Sequence, residues 1–182
     1  MTTALYILAT MTPWLVYLSW SDVKYRRLPN LWTLGMLAFA LIARLMTGGI
    51  PYLMNGLIAG LICGGFLLLP FLLRGAGGGD VKMLAAVGAM LGTGRTPFFL
   101  FVMSVSGVVL VIIMLICRQS DPARLKHYFL TLFWWKYDRV AGKASLPAKD
   151  TEKSRVPFGV AIALGVWLTL GYEIFVYSGG LK

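Results

Sequence analysis

Two aspartates, Asp22 and Asp80, are the side chains in this sequence best suited to acid and base chemistry. Four of the seven acidic residues, Asp121, Asp138, Asp150 and Glu152, lie in one basic stretch, where charge balance is their ordinary role. Glu173 stands near the end of a long apolar run, where its side chain can reach the interface. Asp22 follows an apolar run and opens Asp22-Val23-Lys24-Tyr25-Arg26-Arg27-Leu28-Pro29-Asn30; Asp80 closes the glycine run of Gly75-Ala76-Gly77-Gly78-Gly79-Asp80. Two carboxyl groups meeting in a partly dry cleft cannot both ionise cheaply, so a single proton is shared between them. That state supports general acid and general base work by identical residues: one takes a proton from water as it attacks a carbonyl, and the other assists the leaving group. Such chemistry needs no metal and no cofactor.

The elements that carry these residues are read from composition. Of 182 residues 58% are hydrophobic and 13% charged, too little polar surface for a water-soluble globule of this size. Long charge-free runs predict an all-α integral membrane protein, a single domain over 1–182 with helices near 4–20, 30–46, 56–73, 81–95, 97–117 and 157–177. Thr47-Gly48-Gly49-Ile50-Pro51 separates the second from the third. At about 1.5 Å per residue, 81–95 spans only roughly 22 Å, so this helix belongs in thinned bilayer or behind its neighbours. The first run has no Lys or Arg before it and no evident cleavage site, and is expected to be a retained helix rather than a signal peptide.

The net charge of +10 is distributed as a topology signal, and nucleic-acid binding is not expected. With the N-terminus outside, the segments 21–30, 74–80 and 118–156, together with Lys82, hold 14 of the 17 Lys and Arg residues on the cytoplasmic side. Helix 1 then ends, and helix 4 begins, at the same face, which brings Asp22 and Asp80 together. The segment 118–156 between helices 5 and 6 reads as cytoplasmic or interfacial: its aromatic part, including His127 and Trp134-Trp135, suits the headgroup region. Cys63 and Cys117 form neither a zinc pattern nor a disulfide framework.

Each feature also has an ordinary explanation. Asp80 can be a helix N-cap, and a glycine run can be a flexible loop. Lys82 suits a positive-inside anchor, and Pro29 with Asn30 the start of helix 2. In the catalytic alternative Gly77 and Gly79, without Cβ atoms, allow a sharp entry into the helix and close approach of an extended substrate.

Taken together the features resemble the type IV prepilin peptidase family of G-x-G-D aspartic membrane proteases. Three stretches carry the likeness: Asp22 through Leu28-Pro29-Asn30, Gly75 through Gly92, and Val156-Pro157-Phe158-Gly159-Val160-Ala161-Ile162-Ala163. The resemblance implies that Asp22 and Asp80 are the catalytic pair, that Gly77 and Gly79 support it through the backbone, and that Lys82, Pro29 and Asn30 serve substrate or structure nearby. It implies a bacterial or archaeal inner-membrane enzyme that removes a short basic leader from a pilin-like precursor at the cytoplasmic face. Its partners would be that precursor and the lipid bilayer, with a homodimer allowed. Larger members carry paired Cys-x-x-Cys motifs and also methylate the new N-terminus; here those motifs are missing and methylation is not expected, as in the small members serving Flp or tight-adherence pili. A non-catalytic scaffold of a pilus or secretion machine, or a proton-coupled transporter, is the competing class. A transporter would show repeated halves and midplane charges, and neither is evident.

Overall fold

The computed structural model describes residues 2–25, 28–72, 77–116 and 158–179, and within them the chain is helical without strands. Five helices follow in order: α1 (Thr2–Tyr25), α2 (Asn30–Leu72), α3 (Gly78–Leu91), α4 (Thr96–Ile116) and α5 (Phe158–Tyr177). The segment 118–156, with His127, Trp134 and Trp135, lies outside the described residues. Asn30–Leu72, Thr96–Met114 and Phe158–Tyr177 are each long and apolar enough to cross a membrane. Large apolar side chains such as Leu31, Met46 and Leu61 are exposed on the outer surface of the bundle, as expected where lipid is the solvent.

The helices expected at 30–46 and 56–73 form the single element α2, bent into limbs 30–47 and 50–72. Two glycines suffice for the bend. Gly49 takes φ 67°, a left-handed value that costs a residue without Cβ little, and Pro51 stands in the first turn of the second limb, where its missing N–H is harmless. The expected connection is therefore helical from 50 to 55, and the backbone is non-helical only at Gly48 and Gly49, where the two limbs meet. Further departures are at helix ends: α1 runs one turn past 20, to Tyr25, and α3 occupies Gly78–Leu91 rather than 81–95. Gly92, at φ 78°, ends α3, and its N–H caps the Gly88 carbonyl.

α3 is the centre of the bundle. Its 14 residues are too few to span a bilayer unaided, and from Met83 to Leu91 all but Ala85 are buried by neighbouring helices. The second limb of α2 packs on it through small residues one turn apart. A Cβ added at Gly56 would lie 2.9 Å from the Ala89 carbonyl oxygen, and one at Gly60 would lie 3.0 Å from that of Ala85. From the other side Gly88 sits against Cys63 and the Ala59 carbonyl. Between apolar helices in lipid, this backbone approach supplies the packing that hydrophobic burial cannot.

Gly88→Val puts a Cβ 2.5 Å from the Cys63 sulfur and 2.7 Å from a backbone oxygen. It is expected to cost ~1–3 kcal/mol, whereas Gly65→Val, with no atom within 4 Å of its added Cβ, should change stability by under about 0.5 kcal/mol. Thermal unfolding of both variants in detergent reads the difference; equal midpoints would contradict this packing.

Candidate active site

Asp22 and Asp80 are both buried, with about 6% and 7% of their surface exposed. A carboxylate so placed is costly unless it accepts hydrogen bonds, and each accepts at least one from a backbone N–H. Asp22 lies on the last full turn of α1, and its Oδ2 accepts the Gly159 N–H at 2.7 Å. Gly159 is the second residue of α5, so this donor is one of the N–H groups that the helix itself leaves unpaired. The approach requires a glycine, since an added Cβ would come within 2.9 Å of Asp22 Oδ2. The Ser19 hydroxyl, one turn earlier on α1, donates to the Gly159 carbonyl at 3.2 Å.

Asp80 is not the N-cap of its helix. α3 already begins at Gly78, with Gly77 in the capping position at φ −84° and ψ 151°, and Asp80 is the third helical residue. From there its Oδ2 reaches back to accept the Gly77 N–H at 2.8 Å, while the Asp80 N–H donates to the Gly77 carbonyl at 3.1 Å. This is the reciprocal half of a capping box; the other half needs a side chain, which Gly77 does not have.

Several contacts draw the two turns to one end of the bundle. Leu28, just beyond α1, packs on Gly79 so closely that an added Cβ would meet the Leu28 Cβ at 2.6 Å. Lys82 donates to the Asn30 side-chain oxygen at 2.9 Å and joins the start of α2 to the start of α3. Pro29 accepts from the Trp32 and Thr33 N–H groups at 3.2 Å and so opens α2. Of the sequence-derived candidates, then, Gly77 holds Asp80 directly, Gly79 and Leu28 set the spacing, and Lys82, Asn30 and Pro29 tie down the same corner. Trp14, Tyr17 and Trp32 cluster nearby, with ring centroids 4.6 Å apart for Tyr17 and Trp32, and Lys24 lies 4.7 Å above Trp20. Amphipathic rings of this kind settle at a membrane–water interface. Among the described residues no group of three or more His, Cys, Asp or Glu side chains could hold a metal ion.

The model of the type IV leader peptidase family matches residues 9–112, a span that contains both aspartates. The chain belongs to the type IV leader peptidase family. A prepilin leader peptidase/N-methyltransferase of Neisseria gonorrhoeae is 34% identical over 115 residues, covering 59% of this chain. The chain spans 40% of that relative's length. No solved structure matches.

Two contacts draw on residues outside the family match, Gly159 and Glu173. Gly159 lies beyond the matched residues, yet it provides the Asp22 hydrogen bond; the only signal was its place in the Pro157-Phe158-Gly159 segment. At the opposite end, Glu173 is not merely a side chain reaching for the interface. It binds Arg95 side-on through two hydrogen bonds of 2.6 Å, and these hold the Arg95 guanidinium even further above its ordinary pKa.

The Gly159 N–H distinguishes two variants of Asp22. Asp22→Asn keeps an oxygen for the Gly159 N–H, while Asp22→Ala leaves that buried donor without it. The alanine variant is expected to be less stable than the asparagine variant by ~1–3 kcal/mol, read by denaturant titration in mixed micelles. Equal stabilities would mean that the Gly159 bond contributes nothing.

Proposed function

We propose that this chain is an aspartic endopeptidase that removes the short basic leader of type IV pilin-like precursors at the cytoplasmic face of a bacterial or archaeal inner membrane, with Asp22 and Asp80 as its catalytic pair. The observation that carries the proposal is the pair of buried carboxyl groups at one end of the bundle, each on a backbone N–H at the start of a helix. Family membership supports the reaction class, and the relative's name supports the substrate class.

In this mechanism the pair holds one proton. The ionised carboxylate accepts a proton from water as the water oxygen bonds to the scissile carbonyl carbon, and the protonated partner hydrogen-bonds the oxygen that takes up charge. Collapse of the tetrahedral intermediate breaks the C–N bond, and the amine leaves with a proton from the pair. The two N–H donors from Gly77 and Gly159 orient the carboxyl groups throughout, so little reorganisation accompanies the reaction.

Topology follows from the same proposal. The N-terminus is outside, the two limbs of α2 cross separately, and six crossings result, with α3 shielded by its neighbours. The positive-inside distribution of Lys and Arg favours this orientation. A precursor with a basic leader keeps that leader in the cytoplasm while its apolar helix inserts, which delivers the bond between them to the depth of Asp22 and Asp80. A scaffold role would leave the carboxyl groups dispensable.

Co-expression of the chain with a pilin-like precursor in bacterial membranes tests the proposal. The wild type is expected to shorten the precursor at the leader boundary, and Asp22→Asn and Asp80→Asn to leave it uncut, a loss of at least ~10³-fold. Processing at the normal rate by both variants would overturn the assignment.

A further inference from the structure

An apolar groove of about 520 Å³ runs between the second limb of α2 and α4. Its floor contains the buried Leu67 and Met103, and its exposed rims are Phe66 on one side and Val108 and Ile112 on the other. The one hydroxyl in the wall, Ser104, already donates to the Leu100 carbonyl at 2.6 Å, so the groove makes no polar demand on an occupant. From Met103 to Ile112 it follows α4 for roughly 14 Å, about two and a half helical turns. Gly107 and Ser104 keep this wall low, which suits the backbone of another helix.

Where the groove ends matters more than what lines it. One end of the groove lies beside the turns that hold the aspartates. Phe158 closes the groove, and the next residue, Gly159, donates to Asp22. Pro70 lines the other wall, and the ring of the next residue, Phe71, lies against Gly78 in the first turn of α3, where an added Cβ would meet it at 3.4 Å. A polypeptide helix lying there brings the end of its backbone to these turns, where Asp22 and Asp80 can reach the bond that follows.

Resting on the peptidase proposal for Asp22 and Asp80, we infer that this groove seats the apolar helix of the precursor, so that α2 and α4 grip the substrate while α1, α3 and α5 present the carboxyl groups. The α2–α4 groove is then the specificity surface for the helix, distinct from the residues that act on the bond.

A photoreactive phenylalanine analogue placed at position 108, 112 or 109 of the Asp80→Asn chain, expressed with the precursor, tests this. Val109 is exposed on the same helix but does not line the groove. Crosslinks to the precursor are expected at 108 and 112, several-fold above 109. In the otherwise wild-type chain, Val108→Trp is expected to raise KM for the precursor about tenfold, and Val109→Trp to leave it within about twofold. If the wild type cuts the precursor but crosslinking is equal at all three positions, or captures only phospholipid at 108 and 112, the groove assignment is overturned while the peptidase proposal stands. If the wild type cuts no precursor, both fall.

Discussion

A carboxylate withdrawn from water inside an apolar bundle must find donors there, and the start of a helix is where unpaired backbone donors are available. Asp22 and Asp80 meet this constraint in two ways. Asp80 turns back onto the Gly77 N–H at the opening of its own helix, whereas Asp22, near the closing turn of α1, borrows the Gly159 N–H from α5. The second solution fixes the tertiary structure. It requires the last helix to begin where the first one ends, and it requires glycine at 159, because any side chain there would occupy the space of the Asp22 carboxyl group.

The far end of the bundle makes that placement rigid. Arg44, at the bend of α2, donates to the Ala89 carbonyl at 3.2 Å and thereby satisfies an acceptor in the last turn of α3. Asn55 binds Thr93 through its amide, at 2.6 Å to the hydroxyl, and accepts the Thr93 N–H at 3.1 Å. Arg95 and Glu173 link the α3–α4 turn to α5. Helices pinned at one end by polar contacts and along their length by Gly56, Gly60 and Gly88 have little freedom to displace the carboxyl groups at the other. The exception is the line between α2 and α4, where the helices part and an apolar groove opens.

Much of this was legible in the sequence, and the reasons differ by feature. The helices announced themselves as charge-free runs, and the two aspartates stood out because intramembrane acids are rare. Helix ends were read less well. Gly78 and Gly79 look like loop but are helical because Asp80 caps the turn from inside it, and 50–55 looks like loop but is helical because Gly48 and Gly49 alone make the bend. Gly56-x-x-x-Gly60-x-x-x-Gly64 went unread, because these glycines become a packing face only where α3 lies against them. The Arg95–Glu173 pair was illegible, since two charges 78 residues apart carry no local sign that they meet.

The proposed catalysis requires two carboxyl groups acting as one unit. A double-mutant cycle on kcat, with purified wild type, Asp22→Asn, Asp80→Asn and the double variant acting on the same precursor, tests that directly. Groups that share a proton in one reaction are grossly non-additive: each single variant should lose about as much as the double. Losses that add in free energy, or a single variant that keeps nearly the full rate, would contradict the pair.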